Sequence, residues 1–130
     1  MLSRGKQKKF YGNLQFSPTL TEGDMAQYPQ LTLCTTDSLD SAKTVARTLV
    51  KKRLVACVNI VPNVTSVYSW QGQVHEDTEW LMLIKSTAER LDEIKNVIGT
   101  IHSYESPELI SINIEDGLPD YLQWLQDSVK

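Results

Sequence analysis

The pattern of apolar residues along this 130-residue chain predicts an α+β fold with the order β-α-β-β-α-β and an added C-terminal helix. Three observations support this order. Two segments carry apolar residues at helical spacing, and each lies between strand-like segments. A long apolar segment enters a tight turn at Gln71-Gly72 and returns as a second strand. A segment near the C-terminus starts with proline and has the spacing of a short helix. The order is that of a ferredoxin-like sandwich with a long β-hairpin.

The first strand is predicted at Leu31–Thr36, and the first helix follows directly. Within the strand, Leu31 and Leu33 face one way and Cys34 the other. Either Asp37 or Ser38 caps the helix. The apolar positions of the helix repeat with the period of an amphipathic helix: Ala42, Val45, Ala46, Leu49 and Val50.

The hairpin is predicted to consist of Leu54–Trp70 and Val74–Lys85. Directly after the turn stands a polar group that we interpret as a solvated hairpin tip. Its members are His75, Glu76, Asp77 and Glu79.

The second half of the chain repeats the strand and helix patterns. Helical spacing predicts a helix from Leu91 to Ile101, and Pro119–Ser128 is the predicted C-terminal helix. Between them, Leu109–Glu115 alternates as a strand with one covered face. We expect its isoleucines to point inward, and we expect this strand and the first strand to form the sheet edges. The isoleucines are Ile110, Ile112 and Ile114.

Composition limits the classes of function. The first 24 residues carry four basic and two acidic side chains, whereas the rest carry nine basic and fourteen acidic ones. An acidic domain argues against nucleic-acid binding. No apolar run reaches the roughly 18 residues of a membrane helix, and two cysteines do not make a disulfide framework. We therefore predict a cytoplasmic protein without nucleic-acid or membrane partners.

The chain is predicted to contain one domain, residues 29–130, preceded by an N-terminal extension, residues 1–28. Residues 1 to about 25 have few apolar residues, so we expect them to be dispensable for the core fold. The alternative is that Phe10, Tyr11, Leu14 and Phe16 dock onto a subunit as an arm.

The predicted hairpin is apolar on both faces, at Leu54–Val58 and again at Trp80–Ile84. Helices in this fold cover only one face of the sheet. A second copy of the chain is the simplest cover for the other face, so we predict an oligomer.

Two segments, Leu54–Gly72 and His102–Ile110, together resemble the CutA family of divalent-cation-tolerance proteins. The resemblance extends from Leu31 to Leu125. It implies a ferredoxin-like homotrimer with a metal-linked role.

The resemblance also implies a divalent metal ion, copper foremost, bound by Cys34 and His102. Thiolate and imidazole are ligands that copper and zinc prefer. The chain departs from the family pattern beside the histidine, because Ser103 stands where proline is common and Ile101 where some members have a second histidine.

Five further residues match positions that line a cleft between subunits in the family. Lys85 ends an apolar strand, where a charge needs a partner, and Glu108 is the expected partner. The matching residues are Tyr68, Trp70, Lys85, Tyr104 and Glu108.

The predicted function is therefore divalent metal binding, copper in particular, in metal tolerance. An alternative is a trimeric sensor or scaffold that binds a small anion at the inter-subunit cleft. No nucleophile–base set, glycine-rich phosphate loop or CxxC motif supports an enzyme.

Overall fold

The computed structural model describes residues 27–130, and its elements follow the predicted order. The predicted α+β class is confirmed, whereas the predictions for residues 1–26 lie outside the described residues. The strands are β1 (Pro29–Thr36), β2 (Cys57–Trp70), β3 (Gln73–Thr87) and β4 (Leu109–Asn113); the helices are α1 (Leu39–Lys51), α2 (Leu91–Ile101) and α3 (Pro119–Ser128), with a 3-10 turn at Ala88–Arg90.

The four strands form one antiparallel sheet in the order β2-β3-β1-β4. Leu33 of β1 stands opposite Leu83 of β3 on one side and Ile110 of β4 on the other. The edges are therefore β2 and β4, and the prediction that β1 forms an edge was wrong. Alternation shows that one face of a strand is more apolar, but it does not report how many strands lie beside it.

Helices α1 and α2 cover one face of the sheet and enclose the main core. The Ser38 hydroxyl accepts the Ser41 backbone N–H at 3.0 Å, so Ser38 rather than Asp37 caps α1. The helices bury the apolar side that the sequence predicted, except that Val50 of α1 is 44% exposed. The core residues include Val45, Leu49, Ile94 and Ile98 from the helices and Cys34, Met82 and Ile84 from the sheet.

The opposite face of the sheet is apolar and largely uncovered. We call it the open face and define it by Leu31, Leu33, Leu81, Leu83, Ile110 and Ile112. The four leucines are half-buried, and the two isoleucines are each 53% exposed. The expectation that Ile110 and Ile112 point inward was therefore wrong, because it is Leu109 that packs against the core under the helices.

Helix α3 packs over one end of the sheet. Its Leu122 forms a small second cluster with Tyr28, Ala88 and Ile114. No helix in residues 27–130 combines the length and apolarity needed to cross a membrane.

The hairpin extends beyond the rest of the sheet. Gln71 and Gly72 have φ angles of 51° and 79°, as a type I′ turn requires. Beyond Trp80, which faces Thr36 of β1, β3 pairs only with β2. This two-stranded ribbon exposes Val67, Trp70 and Val74 by 61%, 61% and 76%.

Candidate functional site

A cleft of about 690 Å³ lies where the ribbon leaves the sheet, beside the segment that joins α2 to β4. We call it the hairpin cleft. The structure thus brings together Tyr68, Trp70, Tyr104 and Glu108, four of the five predicted cleft residues. The lining consists of Thr35, Ser66, Val67, Tyr68, Trp70, Asp77, Glu79, Tyr104, Ser106 and Glu108.

Glu79 is the central acidic residue of the cleft. It lies on β3 opposite Val64, and only 9% of its surface is exposed. The Tyr104 hydroxyl donates to Glu79 Oε2 at 2.8 Å. The interpretation of this acidic group as a solvated hairpin tip was therefore wrong for Glu79, because the 102–108 segment folds over its side chain.

His102 fixes the 102–108 segment against β1. Its Nε2 lies 2.7 Å from the Thr35 carbonyl oxygen, and its Nδ1 accepts the Tyr104 backbone N–H at 2.9 Å. A ring that donates from Nε2 and accepts at Nδ1 is the neutral tautomer. The ring also packs on that of Tyr104, with centroids 4.9 Å apart. His102 therefore sets the position from which Tyr104 reaches Glu79.

The electrostatic field of the cleft is negative. Burial raises the pKa of Tyr104 far above its ordinary value, and the hydrogen bond to Glu79 and the nearby charges of Glu79, Asp37 and Asp77 raise it further. Across the cleft, the Tyr68 hydroxyl donates to Asp77. The lining includes no lysine, arginine or histidine from the described part of the chain. Within a single chain this charge disfavours a small anion, and the predicted anion site between subunits stays a prediction.

The assignment of Cys34 and His102 as metal ligands stays a prediction, and in the metal-free chain each side chain has other contacts. Cys34 is fully buried, and burial, with smaller contributions from Glu108 and Glu79, raises its pKa to about 12. The thiol is therefore protonated in the metal-free chain, and a metal would have to displace this proton to bind the thiolate. Both nitrogens of His102 are already hydrogen-bonded. Residues 27–130 also contain no group of three or more His, Cys, Asp or Glu side chains arranged to hold a metal ion.

Lys85 lies away from the cleft. It stands opposite Leu31 near one end of β1, whereas Glu108 directly precedes Leu109, which pairs with Cys34 toward the other end. Lys85 Nζ donates to the Tyr121 hydroxyl at 3.2 Å and lies 5.4 Å from the centre of that ring. Within one chain the predicted contact between Lys85 and Glu108 does not form, and the contact between subunits stays a prediction.

Sequence reasoning did not assign Glu79 and Asp77 to the cleft. One signal was present: Glu79 directly precedes the apolar run Trp80–Ile84, where a carboxylate is close to the core. The Tyr104 partner could not be foreseen, because 25 residues separate it from Glu79.

A sequence model of the family described as CutA1 divalent ion tolerance protein matches residues 30–128. The chain belongs to this family. The divalent-cation tolerance protein CutA of Thermus thermophilus is 42% identical over 99 residues, which cover 76% of this chain and 96% of the relative. A CutA homolog of Xenopus laevis is 43% identical over 96 residues, and the chain spans only 62% of its length.

Solved structures agree with this assignment. The Cut A1 structure from Thermus thermophilus superposes with a TM-score of 0.77 at 41% identity, covering 78% of this chain and 99% of that one. The family relatives are named as tolerance proteins rather than as enzymes. Their compartments differ: an Archaeoglobus fulgidus structure, 34% identical, is titled periplasmic, and an Arabidopsis thaliana relative, 38% identical, is named chloroplastic.

Proposed function

We propose that this chain acts without catalysis in divalent-cation tolerance, as a cytoplasmic homotrimer that binds a divalent metal ion. Membership of the CutA1 family over residues 30–128 is the observation that carries the proposal. Copper is the first ion to test, because it leads the usual order of affinities among divalent metals. The proposal includes no nucleic-acid or membrane partner.

The open face supports the homotrimer. Half-exposed Ile110 and Ile112 lie beside a leucine cluster on an uncovered sheet, and monomers seldom expose an apolar surface of this kind. The ribbon supports it as well, because an isolated two-stranded hairpin is only marginally stable in water. Three-fold association places each ribbon against a neighbouring subunit. It also forms a closed ring, so no interface is left unpaired.

We do not propose Cys34 and His102 as ligands of the metal ion in the conformation described above. Cys34 lies under the helices, and His102 has no free nitrogen. A metal at this pair requires both deprotonation of the thiol and loss of one imidazole hydrogen bond. The ligands of the proposed ion are therefore unassigned.

Calorimetric titration of the metal-free protein with Cu(II) and, separately, Mg(II) tests the proposal. We expect saturable Cu(II) binding, and we expect Cys34→Ser to change the affinity by less than about twofold because Cys34 is fully buried and both nitrogens of His102 are hydrogen-bonded. If Cys34→Ser weakens Cu(II) binding about tenfold or more, the buried pair opens to accept the ion. If neither Cu(II) nor Mg(II) binds, the direct-binding part of the proposal fails for these ions.

A further inference from the structure

Within one chain, the hairpin cleft contains a largely buried carboxylate, Glu79, that forms no ion pair with residues 27–130. Glu79 is more than nine-tenths buried, and its Oε2 accepts the Tyr104 hydroxyl. Within residues 27–130, its Oε1 accepts no hydrogen bond, and neither oxygen forms an ion pair. The buried polar side-chain atoms of residues 27–130 that lack a partner do not include Oε1, so this oxygen is open to the cleft. A carboxylate oxygen that faces a cleft without a protein donor can accept a hydrogen bond from a cationic ligand.

Other acids of the cleft reinforce this charge. Asp77 and Glu108 line the same space, so three carboxylates face it. Both Glu79 and Glu108 act on the thiol of Cys34 from nearby, in the direction that raises its pKa. The negative electrostatic potential of the cleft therefore comes from more than one side chain. This potential favours a cationic ligand over a neutral one.

The remaining walls suit an organic cation better than a metal ion. Tyr68, Trp70 and Tyr104 supply aromatic rings, and such rings attract ammonium groups through their faces. A volume of about 690 Å³ is that of a small-molecule site. The acids, by contrast, do not converge closely enough to hold a metal anywhere in the described part of the chain.

We propose that the hairpin cleft binds a small organic ammonium ion, with Glu79 as the counter-charge and the aromatic rings as the walls. Tyr104 orients the Glu79 carboxylate from one side and leaves Oε1 for the ligand. This binding does not depend on the proposed metal role, because it uses neither Cys34 nor His102 as a ligand.

Titration with choline, followed by saturation-transfer NMR and calorimetry on the metal-free full-length protein, tests the proposal. The matched ligand control is 3,3-dimethylbutan-1-ol, which has the shape of choline without its charge. We expect saturable choline binding. The alcohol should bind with an affinity at least about tenfold lower, since it lacks the charge that the carboxylates attract.

Two variants locate the site. Glu79→Gln keeps the shape and an acceptor for Tyr104 but removes the charge, so choline binding should fall about tenfold or more. Glu76→Gln makes the same change on the same strand outside the lining, and it should leave binding unchanged. Trp70→Leu, at an exposed position, should also weaken binding without unfolding the protein.

The proposal is overturned if choline does not bind saturably, if the alcohol binds equally well, or if Glu79→Gln and Glu76→Gln behave alike. If Glu79→Gln loses its circular dichroism signal, it is misfolded, and Trp70→Leu then tests the site. An unchanged choline affinity of Trp70→Leu would also overturn the proposal. Failure of Cu(II) binding has no bearing on these results, so the two proposals fail separately.

Discussion

His102 shows how a residue of metal-ligand type can serve a structural role in this chain. Its two ring nitrogens join the Thr35 carbonyl to the Tyr104 backbone N–H. Helix α2 ends at Ile101, directly before the histidine, so the segment that lines the hairpin cleft begins at His102. The two hydrogen bonds of the ring fix the start of that segment.

His102→Ala should lower the free energy of unfolding by about 1–3 kcal/mol, because it removes two hydrogen bonds of a partly buried ring. Urea denaturation at one fixed protein concentration measures the change. His75→Ala is the control, since His75 only stacks on Tyr68 in the ribbon, with centroids 5.6 Å apart; it should cost less than about 1 kcal/mol. Equal effects would show that His102 has no special structural role.

Cys34 should be inert toward thiol reagents in the folded protein. Its pKa of about 12 keeps the thiol protonated, and its surface is fully buried. In a Cys57→Ser background, iodoacetamide at pH 8 should label Cys34 roughly a hundredfold more slowly in the folded protein than in urea. Comparable rates in the two states would contradict both the burial and the raised pKa.

The same thiol makes folding sensitive to high pH. Because the folded pKa lies above the ordinary 9.0, the stability from this group is complete below pH 9.0 and is lost as the pH rises toward about 12. Cys34→Ala should therefore flatten the fall in unfolding free energy between pH 8 and 10.5, as measured by urea denaturation. An unchanged slope would show that other groups, such as Tyr104, dominate the pH dependence.

Among the elements, the hairpin depends most on local backbone geometry. Its turn places Gly72 at a φ of 79°, in the left-handed region. The strands on either side of the turn are fourteen and fifteen residues long, so an error at the turn would displace the register of the entire ribbon.

Two glycine substitutions should change stability in opposite directions. Gly72→Ala should destabilise the protein by about 1 kcal/mol, because alanine disfavours a positive φ. Gly99→Ala should stabilise it by about 0.5–1 kcal/mol, because Gly99 is exposed in α2 and an added Cβ meets no atom within 4 Å. Thermal unfolding of both variants measures the signs. A stabilising Gly72→Ala would contradict the turn assignment, and a destabilising Gly99→Ala would contradict the open position of Gly99 in α2.

At the scale of the whole molecule, the main feature is the open face, an apolar surface that a single chain leaves largely uncovered. The main core lies entirely on the helix side of the sheet. The other side carries a continuous apolar surface that the short helix α3 covers only at one end. Association of copies is the physical consequence we expect.

Light scattering should give a mass of three 14.7 kDa chains for the wild-type protein. Ile112→Lys should shift the mass toward the monomer, because it places a charge on the open face. Val50→Lys, at a 44% exposed position on α1, is the matched control and should leave the mass unchanged. A monomeric wild-type protein, or equal behaviour of the two variants, would refute the trimer.

The sequence by itself determined the order of the elements. Helical spacing defined α1 and α2, Gln71-Gly72 defined the hairpin turn, and Pro119 began the last helix at its observed residue. These features depend on side chains close together in the sequence, whose periodicity and φ preferences are local properties. The match of Tyr68, Trp70, Tyr104 and Glu108 to cleft positions also came from short segments, read through a family resemblance.

Only the tertiary structure decided which face of each strand is covered, which strands form the edges and which partners the polar groups find. Alternation in β4 was visible, but Ile112 turned out to face the open side, because packing of distant helices chooses the face. The contact of Tyr104 with Glu79 joins residues far apart in sequence. The burial of Cys34 depends on the helices that cover it, and the hydrogen bonds of His102 depend on how the 102–108 segment lies against β1. Both are long-range arrangements that no local pattern encodes.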